Sequence, residues 1–335
     1  MSFQRPRHSP AGSARVESAD FHFNDTPVPR GQLARVEVPV ARLPTGTWLG
    51  VPVVIIHGAK SGPTLWLSGA VHGDELNGVM IVDELVQRLD PLALSGTVLA
   101  VPVVNGFGLI QGSRYLPDRR DLNRCFPGSP RGSLGARLAH LLSQLVIARC
   151  DLGIDYHSGS NGRNNLPQIR CDLDHDKTRR LALAFGAPVA LHAGLRDGSL
   201  RSHAVKLGKP ALVYEGGEAN RLDATVIDAG VQGTLRVMAK VGMLEKSLIP
   251  EAHPRVRLSR SSSWVRASRS GFCRMRIGLG QLVKEGDVVA ELVDPALGTR
   301  VEVRSTRVGL AIGAAVDSLV TAGDALLHVA DTRTG

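Results

Sequence analysis

The chain has 335 residues, of which 43% are hydrophobic and 21% charged, a globular composition that excludes a mainly disordered chain and allows two or three domains, or one large domain with an appendage. No run of 18 apolar residues occurs, which excludes a membrane-spanning helix, and the basic but non-apolar start MSFQRPRHSPAGSAR does not read as a secretory signal. The net charge is +9, but only seven of the 40 basic residues are Lys, the Arg are spread along the chain and aromatics are 4%, which reads as a solvated surface rather than a nucleic-acid face.

Residues 1–30 are rich in Pro, Ser, Arg and Gly and read as a mobile arm. Residues 32–43 and 48–57 read as strands, and 64–68 (TLWLS) as a short buried strand ending in the loop GAVHGDE. The spacing then predicts a helix over 74–88, a buried strand over 96–105, and a long Gly/Pro/Arg loop over 106–132. Helices are expected over 135–149, 178–185, 199–207 and 222–241, with strands over 152–155 and 211–214. Short buried strands alternating with helices imply an α/β layer structure with a largely parallel or mixed sheet.

After about residue 248 the texture changes to strand-like stretches separated by Gly. The segments 271–294 and 309–331 resemble each other, and their Gly286-Asp287 and Gly323-Asp324 turns each stand between apolar strands, as hairpins need. This predicts a small β sandwich with pseudo-twofold symmetry, similar to the barrel-sandwich hybrid of biotinyl and lipoyl domains. No Lys occupies the modified position of those domains, so a structural or lid role is expected. The boundaries read as an arm over 1–30, a catalytic domain over 31–250 and a β domain over 255–332. Cys125, Cys150, Cys171 and Cys273 form no CxxC, which argues against a disulfide framework or cysteine zinc site and fits a reducing, cytoplasmic setting.

Four constellations carry chemistry. His72-Gly73-Asp74-Glu75 follows a buried strand, and a His and a Glu three apart at a strand-to-helix junction turn imidazole and carboxylate to one point, a donor set that suits zinc. By itself the pair also fits a surface His beside a helix-start acid. Asp155-Tyr156-His157 ends another apolar strand; His157 would complete a His₂Glu set, and Asp155, on the same strand face, would hold its imidazole, although taken alone His157 reads as a strand-end His hydrogen-bonded in a loop. The dense loop from Gly112 to Gly128 (GSRYLPDRRDLNRCFPG) is either a solvated charged loop or a binding element. Glu215, in Tyr214-Glu215-Gly216-Gly217, stands where strand ends open into a cleft, or is an ordinary strand-end acid beside a flexible Gly turn.

The order HGDE, SRY…DLNRCFPG, DYHSG, YEGG resembles the succinylglutamate desuccinylase/aspartoacylase family of the zinc carboxypeptidase superfamily, over roughly residues 45–330. DLNR-x-FPG is its most specific part. The resemblance implies an α/β fold with a mixed, largely parallel sheet flanked by helices, and a small C-terminal all-β domain. It implies one Zn²⁺ per chain on His72, Glu75 and His157, with Glu215 as base and then acid. It implies Arg114 at the oxyanion, and Asn123, Arg124 and Arg201 at a substrate carboxylate. The implied reaction is deacylation of an N-acyl amino acid or related small amide. The partner is then a small carboxylate-bearing amide, with no nucleic acid and no membrane. Oligomeric state is not readable. A metallocarboxypeptidase acting on short peptides and a non-catalytic binding protein remain alternatives. The pattern departs from aspartoacylases in one respect: their C-terminal domain supplies a Tyr to the substrate, and the only Tyr here are Tyr115, Tyr156 and Tyr214.

Overall fold

The computed structural model describes residues 20–42, 45–160, 162–248 and 255–332. The arm expected over 1–19 lies outside them. Residues 21–28, read as its end, instead form a hairpin of β1 (Phe21–Phe23) and β2 (Thr26–Val28). Asn24 makes its turn at φ +51°, and Phe23 and Val28 are buried, which ties the segment down by apolar burial.

The central elements follow in order: β3 (Gln32–Arg42), β4 (Trp48–His57), β5 (Lys60–Ser68), α1 (Asn77–Arg88), β6 (Ser95–Val101), α2 (Gly106–Gln111), α3 (Leu134–Leu141), β7 (Leu152–Gly159), β8 (Arg163–Cys171), α4 (Asp176–Phe185), β9 (Val189–His192), α5 (Leu200–Lys206), β10 (Ala211–Glu218) and α6 (Ala224–Lys240). Strands β10, β7, β5 and β6 are parallel neighbours at the centre. Antiparallel β8 flanks them on one side and antiparallel β4 and β3 on the other. The fold is the expected mixed α/β sheet with helices on both faces.

Period-2 alternation sorts the side chains. Leu65 and Leu67 of β5, Ile154 and Tyr156 of β7 and Leu212 and Tyr214 of β10 bury against α1, α4 and α6. Trp66 turns to the opposite face, where α3 and α5 pack. Gly153 lies beside it, and a Cβ there would fall 1.9 Å from the Trp66 ring. Asp155, His157, Val213 and Glu215 therefore share one face, at the C-terminal ends of parallel strands. That is where such sheets open into a crevice.

Several expected boundaries move. The helix expected from residue 74 begins at Asn77, because HGDE is consumed by the loop. The expected loop over 106–132 contains α2, capped by Asn105 accepting from Gly108 N and ended by Gly112 at φ +57°, and a 3₁₀ turn at Leu122–Arg124. The helix expected over 135–149 loosens after α3 into a π turn (Leu142–Val146) and a 3₁₀ turn (Ile147–Arg149). Strands β8 and β9 were not expected.

The tail comprises β11 (Arg257–Ser259), β12 (Ser262–Arg266), β13 (Gly271–Met275), β14 (Leu282–Val283), β15 (Val288–Asp294), β16 (Thr299–Arg304), β17 (Gly309–Ala315), β18 (Leu319–Val320) and β19 (Ala325–Ala330). Its two halves exchange strands reciprocally: β13 pairs with β18, and β17 pairs with β14. The Gly-Asp turns are therefore not hairpins, since β14 and β15 take different partners. Strands β16, β15, β13 and β18 form a four-stranded sheet of their own, while the other tail strands join the large sheet. Strand β17 pairs antiparallel with β8, and β11 runs parallel to β9, so the large sheet continues from the central strands into the C-terminal unit. Among the described residues no helix is long and apolar enough to cross a membrane, and the four cysteines are unpaired.

Candidate active site

His72 and Glu75 leave the C-terminal end of β5 in a loop closed by Glu75 N–H donating to His72 O at 3.2 Å. Gly73 lets this loop lie on α2: a Cβ there would come 1.9 Å from the Gly108 carbonyl carbon. His157 arrives from the end of β7. All three side chains are buried, and their ligand atoms lie within 4.8 Å of one another.

The orientation of the two imidazoles is fixed from behind. Asp155 Oδ2 lies 2.8 Å from His157 Nε2, and Asp121 Oδ1 lies 3.1 Å from His72 Nε2. A carboxylate at that position accepts the Nε2 proton, so each ring turns an Nδ1 lone pair inward. The two Nδ1 atoms are 3.1 Å apart, Glu75 Oε1 is 2.9 Å from that of His72, and Oε2 is 2.7 Å from that of His157. Three electron-pair donors this close repel unless a cation or a proton lies among them. Two imidazole nitrogens and one carboxylate suit zinc. The residues present fit such an ion.

The charges of the cluster are strongly coupled. Burial disfavours a charged His157, but Asp155 and Glu75 outweigh it and hold its pKa well above the ordinary value. His72 is raised in the same way: burial opposes, Glu75 and Asp121 prevail. Burial pushes Glu75 up, yet the two imidazoles hold it below the usual carboxylate range. Asp121 is held low against burial by His72 and Arg114. Asp155 itself is anchored by Ser68, whose hydroxyl donates to Oδ1 at 2.7 Å, because Ser68 and Asp155 are direct partners in the β5–β7 register.

The other expected residues line the same cavity of about 500 Å³. Glu215 is the register partner of His157 in the β7–β10 pair. Arg114 Nη2 donates to Asp121 Oδ2 at 2.9 Å and Nη1 to Glu75 Oε1 at 3.3 Å, so its guanidinium is held at the ligand cluster. Asn123 Oδ1 accepts from Leu200 N at 2.8 Å, which ties the DLNR turn to the start of α5 and leaves its Nδ2 for another partner. Arg124 donates to the Asn123 carbonyl. Arg201, on α5, is buried; Nη2 donates to Gly194 O at 2.6 Å, and Nη1 has no protein partner among the described residues. Burial draws its pKa down.

Sequence reasoning missed several lining residues. Asp121 stood inside the quoted DLNR string without a role. Asn165 of β8 donates to Glu215 Oε2 at 2.9 Å, and Arg170 Nε lies 3.7 Å from Oε1. The tail contributes Ser262, Trp264 and His328. His328 stacks on Trp264 at 4.4 Å, bonds Ser262 Oγ through Nε2, and is pushed down to about 3 by burial, then Arg170 and Arg163. The C-terminal contact to this cavity is thus a Trp–His pair rather than a Tyr. Only the strand register, invisible in the linear string, reveals it.

The succinylglutamate desuccinylase/aspartoacylase catalytic domain matches residues 61–241. The chain belongs to this family. It is 29% identical over 296 residues to an N-alpha-acetyl-L-2,4-diaminobutyric acid deacetylase of Halomonas elongata, covering 84% of this chain and 85% of that one. A solved succinylglutamate desuccinylase/aspartoacylase from Rhodobacter sphaeroides superposes with a TM-score of 0.82 at 28% identity, over 95% of this chain and 99% of that one. The product-bound ectoine utilization protein EutE (DoeB) of Ruegeria pomeroyi gives 0.79 at 26% identity, over 91% and 97%. These alignments reach well beyond the matched catalytic segment.

Proposed function

We propose that the chain is a zinc-dependent amidohydrolase that releases an acyl group from an N-acyl amino acid or a related small amide. The observation that carries this reading is the convergence of His72 Nδ1, His157 Nδ1 and the Glu75 carboxylate, with a carboxylate oxygen of Asp121 and of Asp155 placed against the two Nε2 atoms on the far side. A zinc ion on these three residues would supply an acidified water and a Lewis acid for the scissile carbonyl.

The chain's own groups do the rest. Glu215, beside His157 in the register, takes the proton of the attacking water and delivers it to the leaving amine. Arg114 offers N–H donors to charge developing on the carbonyl oxygen, a contribution of roughly 3 kcal/mol for a well-aimed donor. Arg201 Nη1, Arg124 and Asn123 Nδ2 bind the substrate carboxylate and hold the amide in place. The named deacetylase and desuccinylase relatives support an acylated amino acid as substrate.

The test is Glu215→Gln, assayed with N-acetyl and N-succinyl amino acids and short peptides, with bound zinc measured in parallel. A loss of at least ~100-fold in kcat with zinc retained is expected. Unchanged hydrolysis refutes the role of Glu215, and a preference for peptides refutes the deacylase reading in favour of a carboxypeptidase.

A further inference from the structure

Glu215 must present one oxygen to the reacting atoms, and it is the last residue of β10 in regular register before a bulge at Gly216 and Gly217. Among the described residues its one close side-chain hydrogen bond comes from Asn165 Nδ2, 2.9 Å from Oε2. Arg170 Nε, at 3.7 Å from Oε1, is beyond hydrogen-bond reach and adds charge without direction. Asn165 is only 7% exposed, so its amide has few alternatives.

Asn165 is itself held between two halves of the molecule. In β8 it lies opposite Gly217 of β10 on one side and opposite Gly313 of β17 on the other. Gly313 is what leaves room: a Cβ there would come 3.0 Å from Asn165 Oδ1, 3.3 Å from His328 Cβ and 3.6 Å from Trp264 Cη2. The amide is thus lodged against the tail strand by its oxygen, with its nitrogen directed at Glu215.

We infer that Asn165 is the positioning residue for the Glu215 carboxylate, and that the C-terminal β unit takes part in catalysis by seating Asn165 through Gly313. This rests on the role proposed for Glu215. A buried amide donor fixed on both flanks selects one carboxylate rotamer and leaves the second oxygen for proton transfer. Misplacing such a group by about 1 Å costs on the order of 100-fold in rate.

The experiment is a double-mutant cycle in the full chain with zinc bound. Asn165→Ala is expected to lower kcat ~10- to 100-fold, with KM within about twofold and zinc content unchanged. Asn165→Asp keeps the shape but replaces the donor by an acceptor, and is expected to lose at least as much. Gly313→Ala, made from the tail side, is expected to lower kcat several-fold in the same manner. In a Glu215→Gln background Asn165→Ala is expected to cost nothing more, because the group it aims is already gone. A crystal structure of Asn165→Ala should show the Glu215 side chain moved or spread over rotamers. The inference is overturned if kcat of Asn165→Ala and Asn165→Asp stays within twofold of wild type, or if the losses of Asn165→Ala and Glu215→Gln multiply. A fully active Glu215→Gln is a different failure, that of the parent reading. Should Asn165→Ala not fold, Asn165→Asp and Gly313→Ala decide by the same criteria.

Discussion

Replacing Asp155 probes how much of the proposed metal affinity is built behind the ligands. Asp155 is 1% exposed, accepts the Ser68 hydroxyl at 2.7 Å on one oxygen and lies 2.8 Å from His157 Nε2 with the other. Asp155→Ala leaves the Nε2 proton and the Ser68 hydroxyl buried without partners, and frees the ring to rotate or to move its proton to Nδ1, which abolishes the donor. Loss of such a partner lowers metal affinity about 10- to 100-fold, or about 1.4–2.8 kcal/mol at 1.4 kcal/mol per tenfold. Asp155→Asn separates charge from geometry. Its amide oxygen still accepts from Nε2, and Ser68 can accept from the amide nitrogen, so the expected loss lies at the lower end of that range. The assay is competition for zinc against a chromophoric chelator at fixed pH, with circular dichroism to confirm the fold. An affinity for zinc within twofold of wild type in both variants would refute the reasoning.

Two further outcomes follow from the packing. Gly73→Ala pushes a Cβ to 1.9 Å from the backbone of Gly108 and 2.2 Å from that of Leu109, so the HGDE loop must lift off α2; thermal unfolding should show a loss of about 3 kcal/mol or more, together with weaker zinc binding, and an unchanged melting curve would contradict the loop geometry. His328 is held neutral, with its pKa pushed down to about 3 in the fold against 6.5 unfolded. The unfolded chain therefore binds the extra proton, and this contribution is fully present above about pH 6.5 and lost as pH falls toward 3. At pH 4.5 the loss reaches about 3 kcal/mol at 1.36 kcal/mol per unit. Denaturant titrations of wild type and His328→Gln should show a shallower acid slope in the variant; parallel slopes would argue against the neutral buried ring.

The candidate site residues were legible where each stands at or near the end of an apolar run. HGDE follows the strand Lys60–Ser68, and DYH and YEGG lie toward the C-terminal ends of Leu152–Gly159 and Ala211–Glu218; alternation along a strand puts Asp155 on the face of His157 without any knowledge of the fold. The residues that support them were not legible, because they are brought together by pairing across long stretches of chain. Asn165 reaches Glu215 over 50 positions, and Asp121 reaches His72 over 49. The strand bearing Asn165 was itself hidden: RNNLPQIRC is polar and contains a Pro, since one of its faces lines the cavity and the other meets the core. The repeat in the tail was readable from its two Gly-Asp turns, but not the reciprocal exchange of its short strands, nor the seam of β17 with β8, which is a property of the assembled sheet.

The central claim is that His72, Glu75 and His157 hold one catalytic zinc ion. Metal-depleted chain titrated with zinc, while hydrolysis of an N-acyl amino acid is followed, tests it most directly. The rate should rise linearly, break at one zinc per chain, and stay at background in His157→Ala across the same titration. Full activity in the depleted chain, or an undiminished break in that variant, would contradict the account.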